Sequence, residues 1–338
     1  MAAEPVNAPA GPADLFQAAT AFWHSRVLAV AVELDLFSLL ATGPASLEEL
    51  CARLRLHPQP TEALLGGLCA IGILEHDEHG YRNGPTAATW LDRASPDYLG
   101  GLFALAGWQF PLWTRLRDLL ETGQPQGDRA GLGFDGDALA LRRFAETAEG
   151  LAADCGPALA AALDWSAVTS VVDLGGARGG TLATVLAAHS HLVGTCFDIP
   201  AMAPLFDELA GRLGLAERML FRGGDFFADV LPPAEVYLLG HLMSDWDEER
   251  CTDLVARAAE ALEPGGTLVV LDSLIDPDRP STARNWLVNL NTQLVNPSGS
   301  VRSTVDCADW LRSAGMSGVQ VRALVGSESL VLGTKPRR

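Results

Sequence analysis

The chain has 338 residues, 48% of them hydrophobic; at roughly 100–200 residues per domain this is enough for two domains with sizeable cores. Its formal net charge of −18 speaks against nucleic acid and anionic membranes as partners, because proteins that neutralise phosphates do so with Lys and Arg. Every long apolar run is broken by charge, Gly or Pro short of the ~18 residues that span a bilayer, and the opening MAAEPVNAPAGPAD lacks the basic-then-apolar order of a secretory signal, so a cytoplasmic location is expected.

Residues 1–13 read as a tail. Over 14–40 apolar residues recur at helical spacing (Leu15, Ala19, Phe22, Trp23, Val27, Val30, Leu34), predicting one or two helices. The remaining faces carry few charges, which suits a subunit interface and equally a helix buried in its own domain. Ser46-Leu-Glu-Glu49 is a capping box; Pro58 and Pro60 mark a link, and Thr61 is expected to cap a second helix. ILEHDEHGYRNG then reads as a hairpin, giving a winged-helix pattern. Its second helix carries Glu62 and no Lys or Arg, and the hairpin tip holds Glu75, Asp77 and Glu78, the wrong charge for a DNA major groove. An aromatic-rich helical stretch follows over 97–122, a Gly-rich loop over 123–137 and an Ala-rich helix over 137–164.

From residue 168 strand and helix alternate, an order that implies a doubly wound, mostly parallel α/β sheet of Rossmann-like kind. The expected division is a tail (1–13), a mostly helical winged-helix-like domain (14–95), a linker with pocket helices (96–164) and the α/β domain (165–338). The six cysteines form no CxxC, which predicts reduced, buried thiols and no zinc or disulfide framework.

Ligands of such sheets bind beyond the carboxyl ends of the strands. There the sequence offers VVDLGGARGG, in which a strand ends in Asp173 and a Gly-rich turn opens a helix. Asp198 ends the next strand in FDIP, placed to take both hydroxyls of a ribose. The third ends in GDFF, where Asp225 and Phe226 suit the amino group and face of an adenine. Acids at three consecutive strand ends point to one adenosine-containing ligand, although each alone is an ordinary cap or turn residue. Asp245, Asp247 and Glu248 read as a charged helix start rather than a metal site.

These motifs, with HLMSDWDEE, LEPGGTLVVLDSLI and the closing AGMSGVQV, make the region from about 14 to 335 resemble the bacterial and plant small-molecule O-methyltransferases related to acetylserotonin and caffeate methyltransferases. The resemblance implies an N-terminal winged-helix domain that forms a homodimer and a C-terminal domain that binds S-adenosylmethionine. It implies that Gly175, Gly176 and Gly179 wrap the methionine part, with Asp173 at the strand end. Asp198 would bind ribose, and Asp225 and Phe226 adenine. Gly240 and His241 would lie under the reactive sulfur with Trp246 nearby. Phe103, Trp108, Phe110 and Trp113, with the segment 285–296 that includes Trp286 and Asn289, would enclose a small, largely apolar substrate.

In one place the chain departs from the family pattern. The His expected before Asp-Trp-Asp, the base that takes a phenol proton, is Ser244 here, and an unperturbed Ser cannot serve near neutral pH. Carbon or nitrogen methylation, which needs no base there, is therefore at least as expected as oxygen methylation with His241 or an ionised substrate. Non-methylating chemistry (hydroxylation or cyclisation) and a binding or regulatory role also stay open. On a continuous strand His241 and Ser244 would point to opposite faces, unless the strand ends between them.

Overall fold

A computed structural model describes residues 11–95, 98–127, 136–277, 283–296 and 298–337. Most of the Gly-rich loop expected over 123–137, and most of the tail expected over 1–13, lie outside the described residues. The chain divides into two compact units that part between Pro111 and Leu112.

The first unit begins with helices Pro12–Thr20, Phe22–Glu33 and Leu36–Ala41, finer than the one or two expected. The last break falls at Asp35, whose backbone is left-handed (φ 55°). The expected capping box forms, Ser46 and Glu49 satisfying each other's backbone N–H at the start of Leu47–Leu54. The next helix starts earlier than expected, at Pro58, because proline is tolerated where the N–H has no helical partner. Thr61 therefore lies inside that helix, its hydroxyl donating to the His57 carbonyl. The hairpin pairs β1 (Leu74–Asp77) with β2 (Gly80–Asn83) in antiparallel register. Leu36, Phe37, Leu50, Leu65, Leu68 and Leu74 close a small core beneath it.

The second unit is a seven-stranded sheet with helices on both faces. Its strands are β3 (Ser170–Leu174), β4 (Val193–Asp198), β5 (Met219–Gly223), β6 (Ala234–Gly240), β7 (Leu262–Asp272), β8 (Ser317–Ala323) and β9 (Ser329–Thr334), in the order β5-β4-β3-β6-β7-β9-β8. The strands from β5 to β7 in that order are parallel, and β9 runs antiparallel to both β7 and β8. Alternate residues feed opposite cores. Val172, Tyr237, Leu239 and Val270 face helices Glu248–Ala261 and Thr304–Ser313, whereas Val171, Leu238, Val269 and Leu271 face Cys155–Ala162, Gly180–Ala188 and Ala203–Arg212. Burial on both faces explains why these strands read as unbroken apolar runs. The Ala-rich helix expected over 137–164 is two helices, Ala138–Ala152 and Cys155–Ala162.

None of the six cysteines forms a disulfide, and all but Cys69 are buried. No helix among the described residues is long and apolar enough to cross a membrane.

Candidate active site

The strand order decides what meets at the carboxyl edge of the sheet. Asp198 (β4), Asp173 (β3), His241 (just past β6) and Asp272 (end of β7) stand on four adjacent parallel strands. The turn after β3 is built around these acids. A side chain on Gly176 would press its Cβ to 2.5 Å from Asp173 Oδ2, and one on Gly179 would meet Met219 Cε at 2.5 Å with φ at +84°. Ala177 is left-handed too, at φ 51°. Asp198 stabilises that geometry: Oδ2 accepts the Ala177 N–H at 2.8 Å and Oδ1 accepts the Ile199 N–H at 2.7 Å. Arg178, inside the same turn, pairs with Glu149 of the helix Ala138–Ala152.

Asp173 is buried and its Oδ2 has no hydrogen-bond partner; the same holds for Asp272 Oδ2. Burial, with Asp198 nearby, pushes the Asp173 carboxyl up to about 7, and burial pushes Asp198 up to about 6 against the pull of its two N–H donors. Both groups bind protons more tightly folded than unfolded. Their stabilising contribution is therefore full below pH ~4 and is lost as pH rises through about 6 to 7. The melting temperature of the ligand-free protein is expected to fall between pH 5.5 and pH 8. A higher melting point at pH 8 would contradict the buried pair.

β6 ends at Gly240, and His241 turns the chain with φ 50°. Ser244 follows in a 3-10 turn, Met243–Asp245, with its carbonyl accepting the Ser300 N–H at 3.0 Å. Both residues thus lie past the strand, and the alternation rule does not decide between them. The His241 N–H donates to the Leu271 carbonyl at 2.8 Å, and Nε2 lies 3.1 Å from Glu328 Oε2. Burial disfavours the imidazolium, but the Cys155 and Glu328 hydrogen bonds and the Asp272 charge outweigh it and hold the ring proton well above the usual histidine range. Cys155, His241 and Glu328 bring sulfur, nitrogen and oxygen donors within 4.8 Å of one another.

Asp225 follows β5 at the outer edge of the sheet and is exposed; its Oδ1 accepts the Phe227 N–H at 2.8 Å, closing its own turn. Phe226 is half-buried, edge-on to Phe227 (4.8 Å between ring centroids) and to Trp246 (5.9 Å), and Arg250 lies 5.1 Å over Trp246. Asp247 caps Glu248–Ala261 through the Arg250 N–H, the charged helix start that was expected.

The substrate-facing expectations fall in both units. Phe103 packs on the core of the first unit, Trp108 is half-buried there, and the Phe110 ring lies tilted beside Phe22 (6.1 Å between centroids) with Arg26 above it. In the second unit Trp113 donates to Asn291 Oδ1 at 2.9 Å. Trp286 is 57% exposed. The Asn289 amide oxygen accepts from Gln293, Ser300 and Val301, which ties the helix Ala283–Val295 to the following loop.

Three residues of the site carry no sequence expectation. Asp272 ends its strand as Asp173 and Asp198 do, in VVLDSLI, so its signal was present. Cys155 passed as one more buried thiol. Glu328 sits at the β8–β9 turn, and no local pattern ties it to a histidine 87 positions away.

The edge as a whole carries Asp198, Asp173, Asp272 and Glu328 against one histidine, and among the described residues no Lys or Arg forms an ion pair with any of the four. A ligand with positive charge and hydroxyl groups complements it. Two family models match: an O-methyltransferase domain over residues 131–317 and an O-methyltransferase dimerisation domain over 16–93. The chain is 43% identical over 331 residues to the tetracenomycin polyketide synthesis 8-O-methyl transferase TcmO of Streptomyces glaucescens, covering 97% of this chain and 98% of the relative. It is 35% identical to the N,N-dimethyltransferase OxyT of Streptomyces rimosus, covering 99% and 100%. Human N-acetylserotonin methyltransferase, solved in complex with S-adenosylmethionine, superposes with a TM-score of 0.86 at 26% identity, covering 98% of this chain and 100% of that one. With that sheet edge and these relatives, the chain belongs to the O-methyltransferase family with an N-terminal dimerisation domain and is an S-adenosylmethionine-dependent methyltransferase.

Proposed function

We propose that the protein methylates a hydroxyl oxygen of a polyketide intermediate and works as a homodimer in the cytoplasm. The observation that carries the substrate class is the 43% identity with TcmO along nearly the whole of both chains. It moves the weight to oxygen, where the sequence alone left carbon or nitrogen methylation at least as expected. Six cysteines without a disulfide among them suit a reducing compartment.

When bound, the cofactor supplies a methyl group on a positively charged sulfur. Asp173, Asp198 and the turn 175–179 are assigned to hold it, with Asp225, Phe226 and Trp246 toward the base and Gly240 and His241 toward the sulfur. The protein's main contribution is alignment, bringing the reacting atoms to roughly 3–3.5 Å in line. A phenol hydroxyl is a poor nucleophile until its proton has somewhere to go. Ser244 offers no base, which leaves the histidine three residues earlier.

OxyT, matched over its full length, supports a second reading: transfer to an amine, whose lone pair needs no base at position 244. Incubation with methyl-labelled S-adenosylmethionine and a paired set of polyketide phenols and aminated analogues separates the two. The expected product carries the label on oxygen, with one S-adenosylhomocysteine formed per methyl. Label found only on nitrogen would transfer the assignment to the amine.

A further inference from the structure

The site binds a cation, loses that charge during the reaction and must accept a proton at the same time. We propose that His241, with Glu328, Asp272, Asp173 and Cys155 around it, is a proton store that empties when the cationic cofactor binds and refills from the substrate hydroxyl as the methyl group leaves. The refilling half rests on the oxygen-methylation reading above; the emptying half rests only on the cofactor lying at this edge.

The geometry is that of a group held for its charge. His241 keeps a left-handed backbone, which a residue with a Cβ adopts at a cost. Its main-chain N–H bond to Leu271 on β7 fixes that turn, and the ring then meets Glu328 Oε2 at 3.1 Å. The charged and titratable groups around it come from every neighbouring element. They are Asp173 from β3, Asp272 from β7, Glu328 from the β8–β9 turn and Cys155 from the start of Cys155–Ala162; Asp198 acts on Asp173, and Asp245 on Asp272. Among these groups His241 alone becomes a cation on protonation, and Asp173 and Asp272 each bury an oxygen without a hydrogen-bond partner.

Without a cationic ligand such an edge keeps protons, because no Lys or Arg among the described residues pairs with its acids. A positive charge brought in from outside lowers the proton affinity of every group it approaches, imidazole and carboxyl alike. Binding a sulfonium therefore expels a proton. In the transfer the oxygen–carbon bond forms, the sulfur–carbon bond breaks with its electron pair left on sulfur, and the sulfur becomes neutral. The hydroxyl proton then has a place in the His241–Glu328 cluster, vacated earlier and now free of the opposing charge. Charge balances at each stage without a base at position 244. His241 and Glu328 act here as a pair, Glu328 being the positioning residue that keeps the ring in reach and sets its charge.

The test compares S-adenosylmethionine with S-adenosylhomocysteine, which lacks the charge and the methyl group. Full-length protein is titrated calorimetrically with each at pH 7.5, in two buffers of different ionisation enthalpy, so that protons released are counted directly. About one more proton is expected to leave per S-adenosylmethionine than per S-adenosylhomocysteine. In Glu328→Gln the difference should shrink and the acidic limb of the methyl-transfer pH profile should move down, whereas Glu328→Asp should restore both in part. Equal proton counts for two ligands that both bind overturn the proposal. Absence of binding by either overturns the cofactor placement itself, and the two failures are told apart by the heat signal. If Glu328→Gln does not fold, Asp272→Asn serves, with the same reduction expected and an unchanged proton difference counting against the store.

Discussion

Asp198→Ala is expected to abolish measurable binding of both S-adenosylmethionine and S-adenosylhomocysteine and to lower the melting point of the ligand-free protein. Loss of two hydrogen bonds to ribose would by itself weaken binding strongly. Asp198 also holds the site together before any ligand arrives, since each of its oxygens accepts a backbone N–H, one from Ala177 in the Gly-rich turn and one from Ile199. Truncation leaves the buried Ala177 N–H unpaired, at about 1–3 kcal/mol, frees the half-buried Ile199 N–H as well, and removes the support for Ala177 in its left-handed conformation. Each carboxylate oxygen can accept a second hydrogen bond, so holding the turn does not exclude holding ribose hydroxyls. Asp198→Asn divides the two roles. Its oxygen keeps one acceptor contact while its NH2 opposes the other N–H, so it should melt between wild type and Asp198→Ala yet bind cofactor almost as poorly as the latter. Calorimetry and thermal melts on the three proteins decide it. Normal cofactor affinity in Asp198→Ala would remove this strand end from the site.

How far the sequence reached can be seen at the same edge. Asp173 and Asp198 were legible because an apolar strand, an acid and a Gly-rich or Pro-containing turn are local patterns. The order of the strands was not local: that β6 inserts between β3 and β7, so that His241 stands between two buried aspartates, follows from the pairing of Val171 on β3 with Val236 on β6 and of Val236 with Thr267 on β7. Glu328 was out of reach for the same reason. It comes to His241 only because β9 runs back antiparallel to β7, and a closing antiparallel pair leaves no mark at the glutamate itself. At Asn289 the place beside an aromatic suggested a ligand contact, and the local pattern gave no sign that its amide oxygen also accepts from a side chain of its own helix and from the loop that follows. Helix starts were legible where a side chain caps them, as at Ser46, and were placed too late where proline opens them, as at Pro58.

Replacing Phe16 and Trp23 together by Asp is expected to convert a homodimer into monomers. The helix Pro12–Thr20 buries none of its own residues, has no side-chain N-cap and is nine residues long. Isolated helices shorter than about 12–15 residues are marginal in water, so a surface outside the single chain is needed to hold it. The residues it would bury are ready: Leu15, Phe16, Phe22 and Trp23 are 50–63% exposed in one chain. The dimerisation-domain match begins at residue 16, within this stretch. Burying an exposed large apolar side chain stabilises by roughly 1.5–3 kcal/mol, and a two-fold interface counts each residue twice. Even at half that value the pair of substitutions forfeits about 3 kcal/mol of contact, before the added cost of drying four carboxylates. The dissociation constant should therefore rise by at least a hundredfold, at roughly 1.4 kcal/mol per decade. Size-exclusion chromatography with light scattering, run across a dilution series, measures it. A double variant that stays dimeric at the lowest concentration would place the interface on some other face of the chain.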